Sequence, residues 1–287
     1  MTQLLRVRQM TPKDVELALD WAAAEGWNPG WHDATAFYAS DPSGFFMGEV
    51  DGEPIGCIST VCYDLTFGFI GLYIVKPEWR KQGYGLQLWQ TAWSELITRL
   101  DPLRGSIGLD GVIERESTDR KAGFISAYKH IRHVYQPTGC AVVPKYAIKL
   151  SKLPLEEIVR YDAQLFGIKR PQFLAAWIRV EDGAAYGIIK QERLVGYGVL
   201  RPCRQGFKIE PLFANTLENA EDLFQALTYH AGLQPVFIDI PDINRAIHIW
   251  RQRYSLEPVF TCQRMYWGNV PSIDVSRIFA VTTLELG

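Results

Sequence analysis

The chain has no unbroken apolar run long enough to cross a bilayer as a helix, and its N-terminus carries no signal-peptide pattern. No membrane is expected as a partner, and the cytoplasm is the expected compartment. There is no C-x-x-C pair. The five cysteines (Cys57, Cys62, Cys140, Cys203 and Cys262) are odd in number and scattered, so they read as reduced, mostly buried thiols rather than a disulfide framework. Neither charge is in excess: 30 Lys and Arg stand against 32 Asp and Glu, a net charge of -2, which gives no reason to expect nucleic acid. His130 and His133 form H-x-x-H, yet nothing nearby supplies further ligands at metal spacing, and no metal is expected. The phosphate-binding signatures G-x-x-x-x-G-K-[ST] and G-x-G-x-x-G are absent too.

What is present begins with size. A chain of 287 residues, 47% hydrophobic and 22% charged, has the composition of an ordinary globular protein and the length for two domains. Its most informative stretch is residues 69–100. Residues 69–75 form a near-continuous apolar run ending on the β-branched pair Ile74 and Val75, as a buried strand does, and Pro77 stops it. After the turn Arg80-Lys81-Gln82-Gly83-Tyr84-Gly85, apolar residues at Leu86, Trp89, Trp93 and Leu96 recur at helical spacing. The first N–H groups of a helix have no partner within it, and with the helix dipole they attract an anion. Gly83 and Gly85 carry no Cβ to hold a phosphate off, and Arg80 and Lys81 add positive charge. The turn reads as a pyrophosphate cradle.

This R-x-x-G-x-G turn between a strand and a helix, preceded by Val-x-Pro-Glu-Trp, resembles the acetyl-CoA signature of the GNAT superfamily of N-acetyltransferases. The resemblance implies acetyl-CoA as co-substrate, bound by Arg80, Lys81, Gln82, Gly83, Tyr84 and Gly85, with the pantetheine arm along Tyr73, Ile74 and Val75. It also implies that a backbone N–H on that strand polarises the acetyl carbonyl. In such folds the segment between the first two helices lines the acceptor pocket, which makes Trp27, Asn28 and Trp31 substrate candidates. Glu49, on the first strand of a hairpin at 45–63, is a candidate base for an ammonium. The string Asp119-Arg120-Lys121-Ala122-Gly123-Phe124 resembles the second GNAT motif, with one departure. Asp119 stands where the family often has a tyrosine that protonates the leaving thiolate. Either Asp119 acts as the acid with a raised pKa, or Tyr73, Tyr84 or water does, or no dedicated acid is needed.

The remaining segments read in order as a strand at 4–9, a helix after Thr11-Pro12, a strand at 106–112 and a last strand at 125–136. Pro137-Thr138-Gly139 marks a boundary. The second half repeats the order: helices at 155–166 and 171–177, a hairpin at 184–200, a strand at 207–212, a helix at 220–230, a strand at 235–241, a helix at 243–254 and a strand at 258–266. Its cradle is missing. Residues 214–221 hold no glycine and no base, and Glu218, Glu221 and Asp222 would repel a pyrophosphate. Asp239 and Asn244 are candidates for a polar pocket there. The whole resembles GNAT proteins with a C-terminal GNAT-like domain of the Acetyltransf_18 kind. The expectation is an α/β protein of two tandem domains, 1–138 and 139–287, each a mixed, mostly antiparallel sheet flanked by helices. Only the first is expected to bind acetyl-CoA and to acetylate a small-molecule or peptide amine in a ternary complex, as a monomer or homodimer. The alternatives are a non-catalytic acetyl-CoA sensor and an interaction protein that binds no CoA.

Overall fold

A computed structural model describes residues 4–139, 142–144 and 146–287; Cys140 lies outside them. In chain order the elements are β1 (Leu5–Gln9), α1 (Pro12–Ala24), α2 (Asp33–Ser40), β2 (Phe45–Val50), β3 (Glu53–Asp64), β4 (Phe67–Val75), α3 (Tyr84–Arg99), β5 (Ser106–Val112), α4 (Glu116–Lys121) and β6 (Ile125–Tyr135). There follow β7 (Ala147–Lys149), α5 (Leu155–Phe166), α6 (Pro171–Trp177), β8 (Ala184–Lys190), β9 (Arg193–Pro202), β10 (Phe207–Ala214), α7 (Leu217–Ala231), β11 (Val236–Pro241), α8 (Ala246–Tyr254), β12 (Glu257–Gly268) and β13 (Ile278–Ala280).

Local chemistry accounts for many of these limits. Thr11 caps α1 with a reciprocal box: its hydroxyl accepts from the Asp14 N–H, Asp14 accepts from the Thr11 N–H at 2.7 Å, and Pro12 takes the first helical position. Asp51 and Gly52 both have positive φ, as a tight hairpin between β2 and β3 requires. On α3 the buried stripe is Tyr84, Leu88, Ala92 and Leu96, spaced four apart. Burying each leucine is worth about 1.5–3 kcal/mol. Trp89 and Trp93 stack at the edge of this stripe with ring centroids 6.0 Å apart. Leu86, expected on the buried face, is exposed, because it falls on the opposite side of the helix.

The two repeats are present, but they do not form two separate sheets. The strands make one continuous sheet in the order β1-β2-β3-β4-β5-β12-β6-β11-β10-β9-β8-β7, with β13 against β10. The last strands are exchanged. β12, from the second repeat, pairs with β5 of the first, and β6, from the first, pairs with β11 of the second. β6 is therefore not the neighbour of β5 that its place at the end of the first repeat suggests. Alternation specifies a strand but not its partner. Helix α3 covers one face of the first half and α7 and α8 cover the corresponding face of the second. The pairs α1–α2 and α5–α6 share a single core on the other face, where Phe37 and Trp177 stack at 6.1 Å.

Candidate active site

The site is built where β4 and β5 part. They pair in parallel from Phe67–Ser106 to Ile70–Leu109 and no further. Opposite β3, β4 carries a bulge at this point: Gly71 faces Ser59 but Ile74 faces Cys57, so Leu72 and Tyr73 oppose Ile58 alone. Leu72 takes a φ of 45°, which a γ-branched residue adopts only under local constraint. The bulge bends β4 away from β5 and opens a split in the sheet. The expected pantetheine strand, Tyr73, Ile74 and Val75, lies along its lip.

Helix α3 begins beside this split. Gly83 precedes it with φ 88°, and a Cβ there would meet nothing within 4 Å. Gly83, at the N-cap, has no side chain to cap the helix, and the first N–H groups of a helix find no partner within it. Gly85 matters for a different reason: a Cβ would lie 2.8 Å from the Tyr73 hydroxyl over the first turn and would make that side chain shift. Lys81 and Gln82 are exposed at the turn. Tyr84 is buried, edge-on to Trp79 at 5.7 Å. Arg80 holds the turn together: its Nε donates to the Val75 carbonyl at 2.7 Å and its guanidinium pairs with Glu25. The second repeat differs at the same place. There the Thr216 hydroxyl accepts from the Asn219 N–H, so α7 caps itself. The split between β10 and β11 is filled as well. β11 pairs with residues 207–209, β13 takes over along Leu212 and Phe213, and the Val281 N–H donates to the Asp239 carbonyl of β11.

Asp119 projects from α4 over β5, 2.8 Å from where a Cβ on Gly111 would be. Burial raises its carboxyl from 3.8 to about 6, against the pull of Arg115. Burial also raises the Tyr73 phenol, with Arg115 and Asp119 close enough to act on it. Asp119 and Tyr73 thus flank the split together. Glu49 does not join them. It lies on β2, two strands from β4, and its carboxylate accepts from Arg8 Nε at 2.7 Å while Arg8 also grips Asp14. Glu49 and its guanidinium partner therefore sit apart from Asp119 and Tyr73.

The tryptophan loop, expected to line the acceptor pocket, makes contacts between the two halves. Asn28 binds the second half in both directions, accepting from the Gln205 N–H at 2.8 Å and donating to its carbonyl at 3.0 Å. The Trp27 carbonyl accepts from Arg132 at 2.7 Å and from Lys208 at 3.3 Å. Trp31 is exposed under the guanidinium of Arg204, at 3.8 Å. The loop is a seam between the halves. Asp239 and Asn244 are structural as well: Asp239 pairs with Arg132, and Asn244 donates to the Ile278 carbonyl at 2.7 Å.

On the far face of the split, Asp110, Arg132 and Arg264 were not singled out from sequence. Arg264 of β12 clamps Asp110 of β5 with bonds of 3.0 and 2.6 Å. Arg132 of β6 clamps Asp239 of β11 in the same way, with two bonds of 2.8 Å. The two clamps are equivalents in the two repeats, each made by an exchanged strand. The recurrence of His130-x-Arg132 and Cys262-x-Arg264 is the sequence signal for them. His130 Nδ1 lies 2.8 Å from Asp110, and ligand atoms of Asp110, His130 and Cys262 fall within 4.8 Å of one another. Both Asp110 oxygens already serve Arg264, whose charge opposes a cation there. His130 and His133, an odd number of residues apart on β6, turn to opposite faces, and His133 Nδ1 meets the Ile131 carbonyl at 3.0 Å. Finally, residues 281–287 run buried across this face, and a Cβ on Gly71 would lie 2.0 Å from the Glu285 carbonyl oxygen.

A split parallel pair, a bulge on its first strand and an uncapped glycine turn at its mouth define an acyl-CoA transferase site. Residues 13–100 match the acetyltransferase (GNAT) family and residues 158–280 match a further acetyltransferase (GNAT) domain, so the chain belongs to the GNAT acyltransferases in tandem form. Such enzymes transfer an acyl group from acyl-CoA. Among proteins it is similar to, a holothin acyltransferase of Pseudoalteromonas sp. (strain SANK 73390) is 29% identical over 273 residues, 95% of this chain and 91% of that one. A solved Pyrococcus horikoshii structure of the acetyltransferase class shares the fold at TM-score 0.80 and 21% identity, over 99% of this chain and 96% of its own. A tandem GNAT protein from the clavulanic acid biosynthesis pathway shares it at TM-score 0.61 and 14% identity, over 94% and 100%.

Proposed function

We propose that the protein is an acetyl-CoA-dependent N-acetyltransferase that moves an acetyl group to an amine by direct attack within a ternary complex. The observation that carries this reading is the uncapped N-terminus of α3 at Gly83 beside the opened split between β4 and β5. In this reading the N–H groups after Gly83, with Lys81 and Gln82, take the pyrophosphate, while Tyr73, Ile74 and Val75 take the pantetheine arm. Arg80 shapes the turn. Holding thioester and amine together supplies much of the rate. The amine attacks the carbonyl carbon, the C–S bond breaks, and the departing thiolate takes its proton from Asp119, half-buried and raised to about 6, or from Tyr73 beside it. Residues 1–138 supply the donor site and residues 139–287 form the degenerate copy. The reading needs neither membrane nor nucleic acid, and a monomer or homodimer in the cytoplasm serves it.

The test is isothermal titration with acetyl-CoA, run beside a Gly83→Glu variant. One site, lost in the variant, is expected; two sites would give the second repeat a donor site, and none would end the reading. Holothin, small amines and peptide N-termini are then the acceptors to assay, because the relative named for holothin matches nearly the full chain.

A further inference from the structure

Asp110 is the first residue of β5 beyond its last pair with β4, so it stands at the lip of the split. Leu109 before it packs in the core under α3. By strand alternation Asp110 faces the other way, toward the shared core and residues 281–287. On that face Cys262 pairs across β12 and β6 with His130, and Arg264 pairs across β5 and β12 with Asp110. His130 is completely buried. Its Nδ1 contacts Asp110 Oδ1 at 2.8 Å, and its Nε2 has no hydrogen-bond partner among the described residues. Asp110 is ionised: burial opposes this, but Arg264 and His130 hold its carboxyl below the usual range. An ionised carboxylate accepts only, so Nδ1 carries the hydrogen, and in the neutral ring Nε2 presents a lone pair. A buried polar atom without a protein partner calls for a water, an ion or a ligand to meet it. The other neighbours do not compete for the role. Burial raises the Cys262 thiol well above its usual range, Tyr128 meets the ring edge-on at 5.3 Å, and Arg132 is committed to Asp239.

We propose that His130, oriented by Asp110, is the base that takes the proton from the acceptor nitrogen, on the face of the sheet opposite the acyl-CoA cradle. The inference rests on the N-acetyltransferase reading and gives it a base. The ammonium gives one proton to His130 Nε2, and its freed lone pair forms the N–C bond as the C–S bond breaks. The second nitrogen proton balances the one that the thiolate takes up, so one proton leaves through His130. Asp110 is a positioning residue, and Arg264 holds it in place.

The test uses the full chain with acetyl-CoA and two small probe nucleophiles, methylamine, an ammonium at neutral pH, and hydroxylamine, which is neutral there. His130→Gln is expected to lower the rate with methylamine by about 100-fold or more, and that with hydroxylamine by about 3-fold at most. Its acetyl-CoA affinity should match the wild type. Equal losses with both nucleophiles, or none, would overturn the assignment. In 15N-histidine-labelled wild type, the His130 signals should show a protonated Nδ1 and a bare Nε2; a protonated Nε2 would overturn it whatever the activity. Absence of acetyl-CoA binding by the wild type would instead remove the underlying acetyltransferase reading, and this inference with it.

Discussion

Burial sets the Asp119 carboxyl against the fold that holds it. Its folded pKa of about 6 lies above the 3.8 of a free carboxyl, so between these values the folded chain binds more protons than the unfolded one. Stability therefore falls as pH rises through that window, with the full cost present above about 6 and none below 3.8. Asp119→Asn removes the cost. We expect it to stabilise the protein by about 1 kcal/mol at pH 7.5, less than the full linkage value because the half-exposed group is screened by water. Urea unfolding at pH 7.5 and pH 4 checks this: the gain should nearly vanish at the lower pH, and an equal gain at both would contradict it. Asp119 was legible as a departure from a family pattern, and its position came from its place before Gly123-Phe124. His130 was legible only as half of H-x-x-H. Its real partner, Asp110, is 20 residues away in sequence and reaches it across another strand.

At the scale of elements, the exchange of β6 and β12 ties the halves together through two buried guanidinium–carboxylate clamps. Removing one partner of such a pair leaves a charge in the core without compensation. Arg132→Met is expected to cost about 3–5 kcal/mol, and Arg132→Met with Asp239→Leu to regain more than half of that. A double-mutant cycle in urea measures the coupling, and additive losses would show that the clamp is not a unit. The strands themselves were legible: the hairpins, the strand before the glycine turn and the repeat of their order all follow from alternation, β-branching and turn residues. Which strand lies beside which was not, because alternation presents the same apolar face to any neighbour. The short β13 was not anticipated either. Three residues carry too little pattern, yet they close the split in the second repeat, and that closure joins the self-capped α7 as a reason to expect one acetyl-CoA site.

The whole molecule is accordingly one cooperative body. Each half lends its last strand to the other, and α1, α2, α5 and α6 bury their faces in one core. A single unfolding transition is expected in calorimetry, shifted upward as a whole by acetyl-CoA. Residues 1–138 produced alone should fail to fold, since β6 would lose β11 and β12 and β5 would lose β12. Two resolved transitions, or a folded fragment, would refute this. The sequence by itself determined the repeat, the identity of most strands and helices, the glycine cradle and its loss in the second copy. Those features rest on neighbours within a few residues, where φ preferences, caps and periodicity act. The tertiary structure alone decided the strand exchange, the paired clamps, the isolation of Glu49 and the meeting of Asp110 with His130. Each of these depends on contacts between residues far apart in the chain, chosen by how the faces of the sheet are buried.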